Sequence, residues 1–445
     1  MSTNLTLNIP TKEETQIFSD RINSNIMKVK KSGTLLLNEI SKKLEAEGKR
    51  VYKFGFGQSP FPPHSSIISA LKDGADKSDY ANVQGIPDLL KAVANFHKKI
   101  DKIDADPKNI IIGPGSKILF YSLFKVFEKA NVLIPSPAWV SYEPQVKLVG
   151  HNSIRLYTTF ENKWRVTPQM LDQECSKLDK DIPIILIMNY PGNPDGLTYN
   201  ESELKDLTQV LRKHKVLVIS DEIYALMHHK NEHLCFGRFY PEGSIIANGL
   251  SKWCGAGGWR LGTLVLPETL AGDFKDSLLG YASETYSCVA TPIQAAAVKA
   301  YDNIDNISDY LAYQRKILST VGNMSVDILR ESGIRVHAPE GGFYIYIDFE
   351  NLREKLAKKG ITDSLALCAK ALEETGAAIL SGKSFGSKAE DLVARLSYVD
   401  FDGAKTLEAA QKYSLNQEFP KEFINEYCEK TIEGCQKLAD WAKSL

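Results

Sequence analysis

Between about residues 64 and 300, short continuous apolar runs alternate with amphipathic segments of helical length, and this alternation constrains the fold more than any other feature of the chain. The runs are rich in β-branched residues and cover 109–112, 132–134, 184–188, 216–220, 245–247 and 261–265. Helix-like segments lie at 65–74, 87–99, 116–127, 201–214 and 292–301. A strand with no polar face has to be covered on both sides. The pattern therefore predicts an α/β fold whose mostly parallel sheet carries helices on both faces. Ligands of such sheets bind beyond the carboxyl ends of the strands, where loops and helix N-termini converge.

The rest of the chain follows a different rule. A long amphipathic helix is expected over 304–332, then strand patterns at 342–349, 377–380 and 393–399, and helices to the end. A helix-like lead-in at 35–47 precedes a strand pattern at 51–56. This reads as a smaller α+β domain made from both termini: 1–61 and 306–445, around a large domain at 62–305. The length of 445 residues agrees, at about 150 residues per domain.

Charge and composition narrow the class. Fifty-four basic against 55 acidic residues leave a net charge of −1, which gives no global attraction to nucleic acid or an anionic membrane. The longest apolar stretch, 182–188, is too short to span a bilayer. The first eighteen residues lack a basic region followed by an apolar core, and Glu13 and Glu14 argue against a transit peptide. Seven scattered cysteines, with no Cys-x-x-Cys pair, fit free thiols in a reducing compartment. His228, His229 and His233 have neither a nearby cysteine nor the spacing of a metalloprotease helix, and read as a solvated loop without metal. The expectation is a cytoplasmic protein with a small-molecule site.

Four segments at strand ends carry chemistry. The first, Asn248 to Gly262, places Lys252 among Leu250, Trp253 and a run of glycines, eight residues before Arg260. Desolvation there lowers an ammonium's pKa and frees amine for Schiff-base formation; a merely solvated lysine is the alternative. In the second, Asp221 ends the buried run 216–220, with Tyr224 three residues on. A carboxylate in that position needs a cationic partner, either a protonated pyridine nitrogen or a neighbouring Arg or Lys. In the third, Pro191 and Pro194 flank Asn193 in a turn that either aims its amide at a ligand or is simply a loop. In the fourth, Gly113-Pro114-Gly115-Ser116-Lys117 follows a strand and opens a helix, with Ser116 read as its cap. Free backbone N–H groups there form an anion site. A dinucleotide fingerprint fails because Ile118 stands where its third glycine belongs, and Walker A spacing is absent.

In this order and spacing, Asn193-Pro194-x-Gly196, Asp221-x-x-Tyr224, Ser251-Lys252, Gly258-x-Arg260 and Arg395-Leu396-Ser397 resemble the fold-type I, pyridoxal-phosphate-dependent aminotransferases of class I/II, the aspartate aminotransferase superfamily. The resemblance runs from about Tyr52 to Tyr398 and implies a seven-stranded sheet in the large domain. It implies that Lys252 forms the Schiff base with pyridoxal 5′-phosphate and shuttles the proton, that Asp221 keeps the pyridine nitrogen protonated, and that Asn193 and Tyr224 bond the ring's phenolic oxygen. Trp139 stands where relatives stack an aromatic ring on the cofactor, an ordinary core tryptophan being the other reading. Gly115, Ser116, Lys117 and Arg260 are implied as phosphate ligands. Tyr80 resembles a tyrosine that reaches the partner's phosphate across a homodimer interface, so that active sites are shared. Arg395 matches the receptor of the substrate α-carboxylate, with Gly57 beside it; a domain-interface ion pair is the alternative for Arg395.

Two departures stand out. Relatives often carry Ser or Thr three residues before the lysine as a phosphate ligand, where this chain has Gly249; Ser251 or Ser287 is the candidate substitute. Enzymes specific for dicarboxylic substrates often place an arginine four residues before the position of Ser287, where this chain has Ser283 followed by Glu284. The segment 411–421 is extra. The resemblance implies reversible transfer of an amino group between an L-amino acid and a 2-oxo acid. A C–S β-lyase or an aminocyclopropane-carboxylate-synthase-like enzyme would use the same residues, and a non-catalytic binding protein would have lost Lys252 or Asp221.

Overall fold

A computed structural model describes residues 21–27, 29 and 33–445. The reading of the first eighteen residues lies outside the described residues.

Seven strands form the main sheet: β1 Ile110–Gly113, β2 Asn131–Ser136, β3 Asn152–Tyr157, β4 Ile184–Asn189, β5 Leu217–Asp221, β6 Ser244–Gly249 and β7 Gly262–Val265. Their order is β1-β7-β6-β5-β4-β2-β3, and only β7 runs against its neighbours. Side chains that alternate along each strand enter two separate cores. Ile110, Ile112, Leu133, Leu186, Val218 and Ile246 join one. Ile111, Val132, Ile134, Ile185, Ile219 and Ile245 join the other. A strand that buries both faces needs apolar residues at every position, which is why these runs show no polar alternation.

The expected runs match six of the seven strands within a residue or two. β3 was missed. It lies at the sheet edge, half exposed, and its sequence Asn-Ser-Ile-Arg-Leu-Tyr carries no apolar run. The expected strand at 51–56 is reduced to a single bridge from Tyr52 to Ala377.

Helices follow their local signals. Glu201–His214 begins with a reciprocal capping box between Asn200 and Glu203 and ends in its basic last turn. The helix expected over 87–99 runs Pro87–Phe96 and then widens into a π turn, His97–Asp101, closed by a buried His97 Nδ1–Asp101 Oδ2 contact of 2.6 Å. Ser308–Arg330 packs against the C-terminal helix Glu429–Lys443. The extra segment is folded onto that long helix: Phe419 stacks on Phe423, and Lys316 lies over the Phe419 ring.

A second, antiparallel sheet contains β8 Tyr344–Asp348, β9 Leu380–Ser381 and β10 Val393–Ser397, in the order β8-β10-β9. All seven cysteines are unpaired. No helix among the described residues is long and apolar enough to cross a membrane.

The histidine cluster is not a solvated loop. His228 Nδ1 accepts from the backbone N–H groups of Lys230 and Glu232, His229 lies between the carbonyls of Pro339 and Gly342 and donates to one of them, and His233 Nε2 meets the buried Glu222 carboxylate. Burial lowers His228 and His229 to about 4, so both imidazoles are neutral near pH 7.

Candidate active site

A cavity of about 640 Å³ opens at the carboxyl ends of β1, β4, β5 and β6, and β8 and β10 of the second sheet close its far side. Gly57, Ser116, Lys117, Trp139, Asn193, Asp221, Tyr224, Ser251, Lys252, Arg260 and Arg395 all reach its wall. Two expected residues behave differently. Gly115 lies just behind the wall, and Tyr80 is 94% exposed and does not line this cavity.

Lys252 Nζ donates to the Gly57 carbonyl at 2.7 Å and lies near the rings of Tyr224 and Phe343. Burial lowers its pKa to about 8, assisted by the charges of Arg395, Arg260 and Lys117 and opposed by Asp221. Asp221 is buried at the end of β5, and burial raises it to about 6. Its Oδ2 accepts from the Tyr142 hydroxyl at 2.6 Å, and its backbone carbonyl accepts from the Asn189 amide. No Arg or Lys pairs directly with Asp221 among the described residues, so the cation it needs is not a neighbouring side chain.

The turn after β1 brings a helix N-terminus beside two cationic side chains. Gly115 has φ +88°, which favours glycine, and a Cβ there would collide with the Arg260 guanidinium. Gly115 caps the helix Ser116–Val126, and Ser116 is not a cap. It occupies the first helical position and lines the cavity. Arg260 donates to Gly257 O, and Lys117 Nζ lies 5.2 Å from the Trp139 ring centre. Neither cation meets a carboxylate among the described residues.

Beneath this turn, Gly113 of β1, Gly262 of β7 and Gly249 of β6 pair in one cross-strand row. A Cβ at Gly262 would strike the Ser116 backbone, and one at Gly249 would strike the Leu261 carbonyl and the Gly262 Cα. The serine or threonine of relatives therefore has no room at 249.

Arg395, on β10, is 2% exposed. Its terminal nitrogens donate to Asn193 Oδ1 at 3.0 Å and to the Gly55 carbonyl at 2.5 Å, while Nε has no partner among the described residues. The ion-pair reading of Arg395 finds no carboxylate here. A buried guanidinium with only neutral acceptors is suited to take an incoming carboxylate. Asn193 is buried and its backbone N–H donates to Asn189. Trp139 is half-buried at the wall, edge-on to Tyr142 at 5.2 Å and packed against the core. Glu284 is exposed, accepts from Ser283, and does not line the cavity.

Sequence reasoning missed three participants: Asn189, Tyr142 as the partner of Asp221, and Tyr344, whose hydroxyl lies 2.9 Å from that of Tyr224. A signal for Tyr344 exists in the alternation of Tyr344 and Tyr346 with isoleucines, which turns both rings to one face of β8.

The sequence model of the family "Aminotransferase class I and II" matches residues 49–411. The asparagine–oxo-acid transaminase of Streptococcus mutans is 29% identical over 394 residues, 85% of this chain and 94% of that protein. The aspartate aminotransferase of Geobacillus stearothermophilus is 32% identical over 380 residues, 82% of this chain and 91% of that protein. In fold, the chain is similar to the aspartate aminotransferase of Thermus thermophilus, with a TM-score of 0.77 at 23% identity over 88% of this chain and 98% of that one.

Proposed function

The chain belongs to the class I and II aminotransferases, and we propose on that footing that its cavity takes pyridoxal 5′-phosphate on Lys252 and moves the amino group between an L-amino acid and a 2-oxo acid. The observation that carries this reading is the convergence of three groups in one cavity: a lysine lowered to about 8, a buried carboxyl with no cationic side chain against it, and a buried guanidinium with no carboxylate.

The residues fit the group. Asp221 would hold a protonated ring nitrogen, and Tyr142 fixes the orientation of its carboxyl. The N–H groups of Ser116 and its neighbours, with Arg260 and Lys117, suit a phosphate, because two cations stand there without acidic partners. Once bound, pyridoxal phosphate supplies an aldehyde that condenses with amines and a cationic ring that spreads the electron pair left at Cα.

The chain's own tasks are then binding and proton handling. Arg395 takes the α-carboxylate through the fork now shared by Asn193 and Gly55, which orients Cα toward Lys252. Lys252, released as a neutral amine, accepts the Cα proton and returns it; such general-base work contributes roughly 10²–10⁴-fold. Trp139 offers a flat face at the wall. The domain division at 61/62 and 305/306 and a homodimer with Tyr80 serving the partner's site are part of the same proposal; the exposure of Tyr80 supports the latter.

The test is direct. Loaded protein reduced with borohydride should carry the cofactor on the peptide containing Lys252. Aspartate and asparagine, the donors named in the relatives, are the first to mix with it. Conversion of the bound cofactor to its amine form with release of a 2-oxo acid is expected, whereas ammonia with pyruvate or a thiol would identify an eliminating enzyme.

A further inference from the structure

Tyr344 belongs to none of the four sequence segments, yet it touches three groups the proposed reaction uses. Across the β8–β10 pair, Arg395 lies opposite Tyr346 and diagonal to Tyr344. Its guanidinium carbon is 4.6 Å from the centre of the Tyr344 ring, within the range where a ring face attracts a cation. The Tyr344 hydroxyl meets that of Tyr224 at 2.9 Å, with both residues buried. On its third side is Gly57, whose carbonyl holds Lys252; a Cβ on Gly57 would collide with the Tyr344 hydroxyl.

The two hydroxyls, 2.9 Å apart, can pair in either direction, and the Arg395 charge acts on both. Burial raises both phenols. The Arg395 cation is the chief opposing influence on Tyr344, while Tyr224 is pushed well above its usual value. When Tyr344 donates in this pair and Tyr224 accepts, the Tyr224 hydrogen is left for the cavity. A hydroxyl that accepts one hydrogen bond donates a stronger one.

We propose that Tyr344 is a positioning residue of the amino-transfer site, carrying Arg395 on its ring while its hydroxyl directs the hydrogen of Tyr224 toward the cofactor. The proposal rests on the reading above. It joins carboxylate recognition and ring hydrogen bonding in one side chain.

The experiment uses full-length protein loaded with pyridoxal phosphate, as wild type, Tyr344→Phe, Tyr344→Leu, Gly57→Ala, and Tyr344→Phe in a Tyr224→Phe background. The visible band of the bound cofactor is titrated with pH, and kcat and KM are measured separately. A hydrogen bond from Tyr224 to the cofactor favours loss of the proton the band reports, so weakening it moves the midpoint up. Tyr344→Phe should raise that midpoint by about half a unit to one unit, the size of one neutral hydrogen bond, and lower kcat while KM stays within about twofold. Gly57→Ala, which displaces the hydroxyl without removing it, should shift the midpoint in the same direction. Tyr344→Leu, which also removes the ring beneath Arg395, should raise KM by about tenfold or more. In the Tyr224→Phe background, Tyr344→Phe should add no further shift. An unshifted midpoint in Tyr344→Phe, a shift that persists without the Tyr224 hydroxyl, or a KM rise equal to that of Tyr344→Leu overturns the proposal alone. A wild type that takes up no colour overturns the cofactor reading and this proposal with it.

Discussion

Lys252 and Asp221 are shifted by the same burial in opposite senses, and each shift has a measurable sign. With a pKa near 8, Lys252 becomes nucleophilic as pH rises through that value, well below the ~10.4 of an open lysine. The rate at which unloaded protein takes up pyridoxal phosphate should therefore rise with a midpoint near 8, and Lys252→Ala should abolish transfer while remaining folded. Between about 8 and 10.5 the folded chain binds fewer protons at Lys252 than the unfolded chain, so this residue's contribution to stability increases with pH there. Asp221 has the reverse sign. Its pKa, raised from 3.8 to about 6, means the unloaded fold loses stability from this group as pH climbs through that interval. Asp221→Asn should flatten that loss in thermal melts and reduce transfer by roughly 10² or more, because the charge opposing the ring nitrogen is gone. These two residues, with Asn193, were legible because each follows an apolar run, and Arg395 came only through its match to the family's motif. Tyr344 was not legible, nor was Tyr142 as the partner of Asp221. A tyrosine in an apolar pattern looks like packing until its hydroxyl is seen against Asp221 or Tyr224.

Among the elements, strands with both faces buried announced themselves and the half-exposed β3 did not. The runs that became β1, β2 and β4 to β7 are apolar because both faces are covered, even at the β1 edge, whereas the exposed residues of β3 needed no such run. The histidines after β5 look like a polar loop in sequence, and only the fold reveals that carbonyls of residues 339 and 342 claim one of them. Gly249 shows the same limit. In sequence it is a missing hydroxyl, and in the sheet it is a position where neighbouring backbone leaves no space. Gly249→Ser should accordingly destabilise the protein by about 1–3 kcal/mol in denaturant melts, as overpacking does, and should weaken cofactor affinity instead of restoring a phosphate ligand. An unchanged melt with tighter cofactor binding would contradict this account.

For the molecule as a whole, the site is assembled from two sheets and, in our proposal, from two chains. If Tyr80 serves the partner's cavity, Tyr80→Ala and Lys252→Ala chains, each impaired alone, should regain activity when refolded together, because one site of the mixed dimer recovers both residues. Mixtures no more active than the separate variants would confine the site to one chain. Two layers of sheet and helix could be read from periodicity, but the meeting of Arg395 with Asn193 across 202 positions could not, since nothing local encodes it. The row of Gly113, Gly262 and Gly249 has a last consequence. Where three adjacent strands lack side chains, the turn above lies close against the sheet's main chain, with the Ser116 backbone in reach of a Cβ at Gly262. Engineers seeking a looser or tighter grip would have to work through the turn itself or through Arg260.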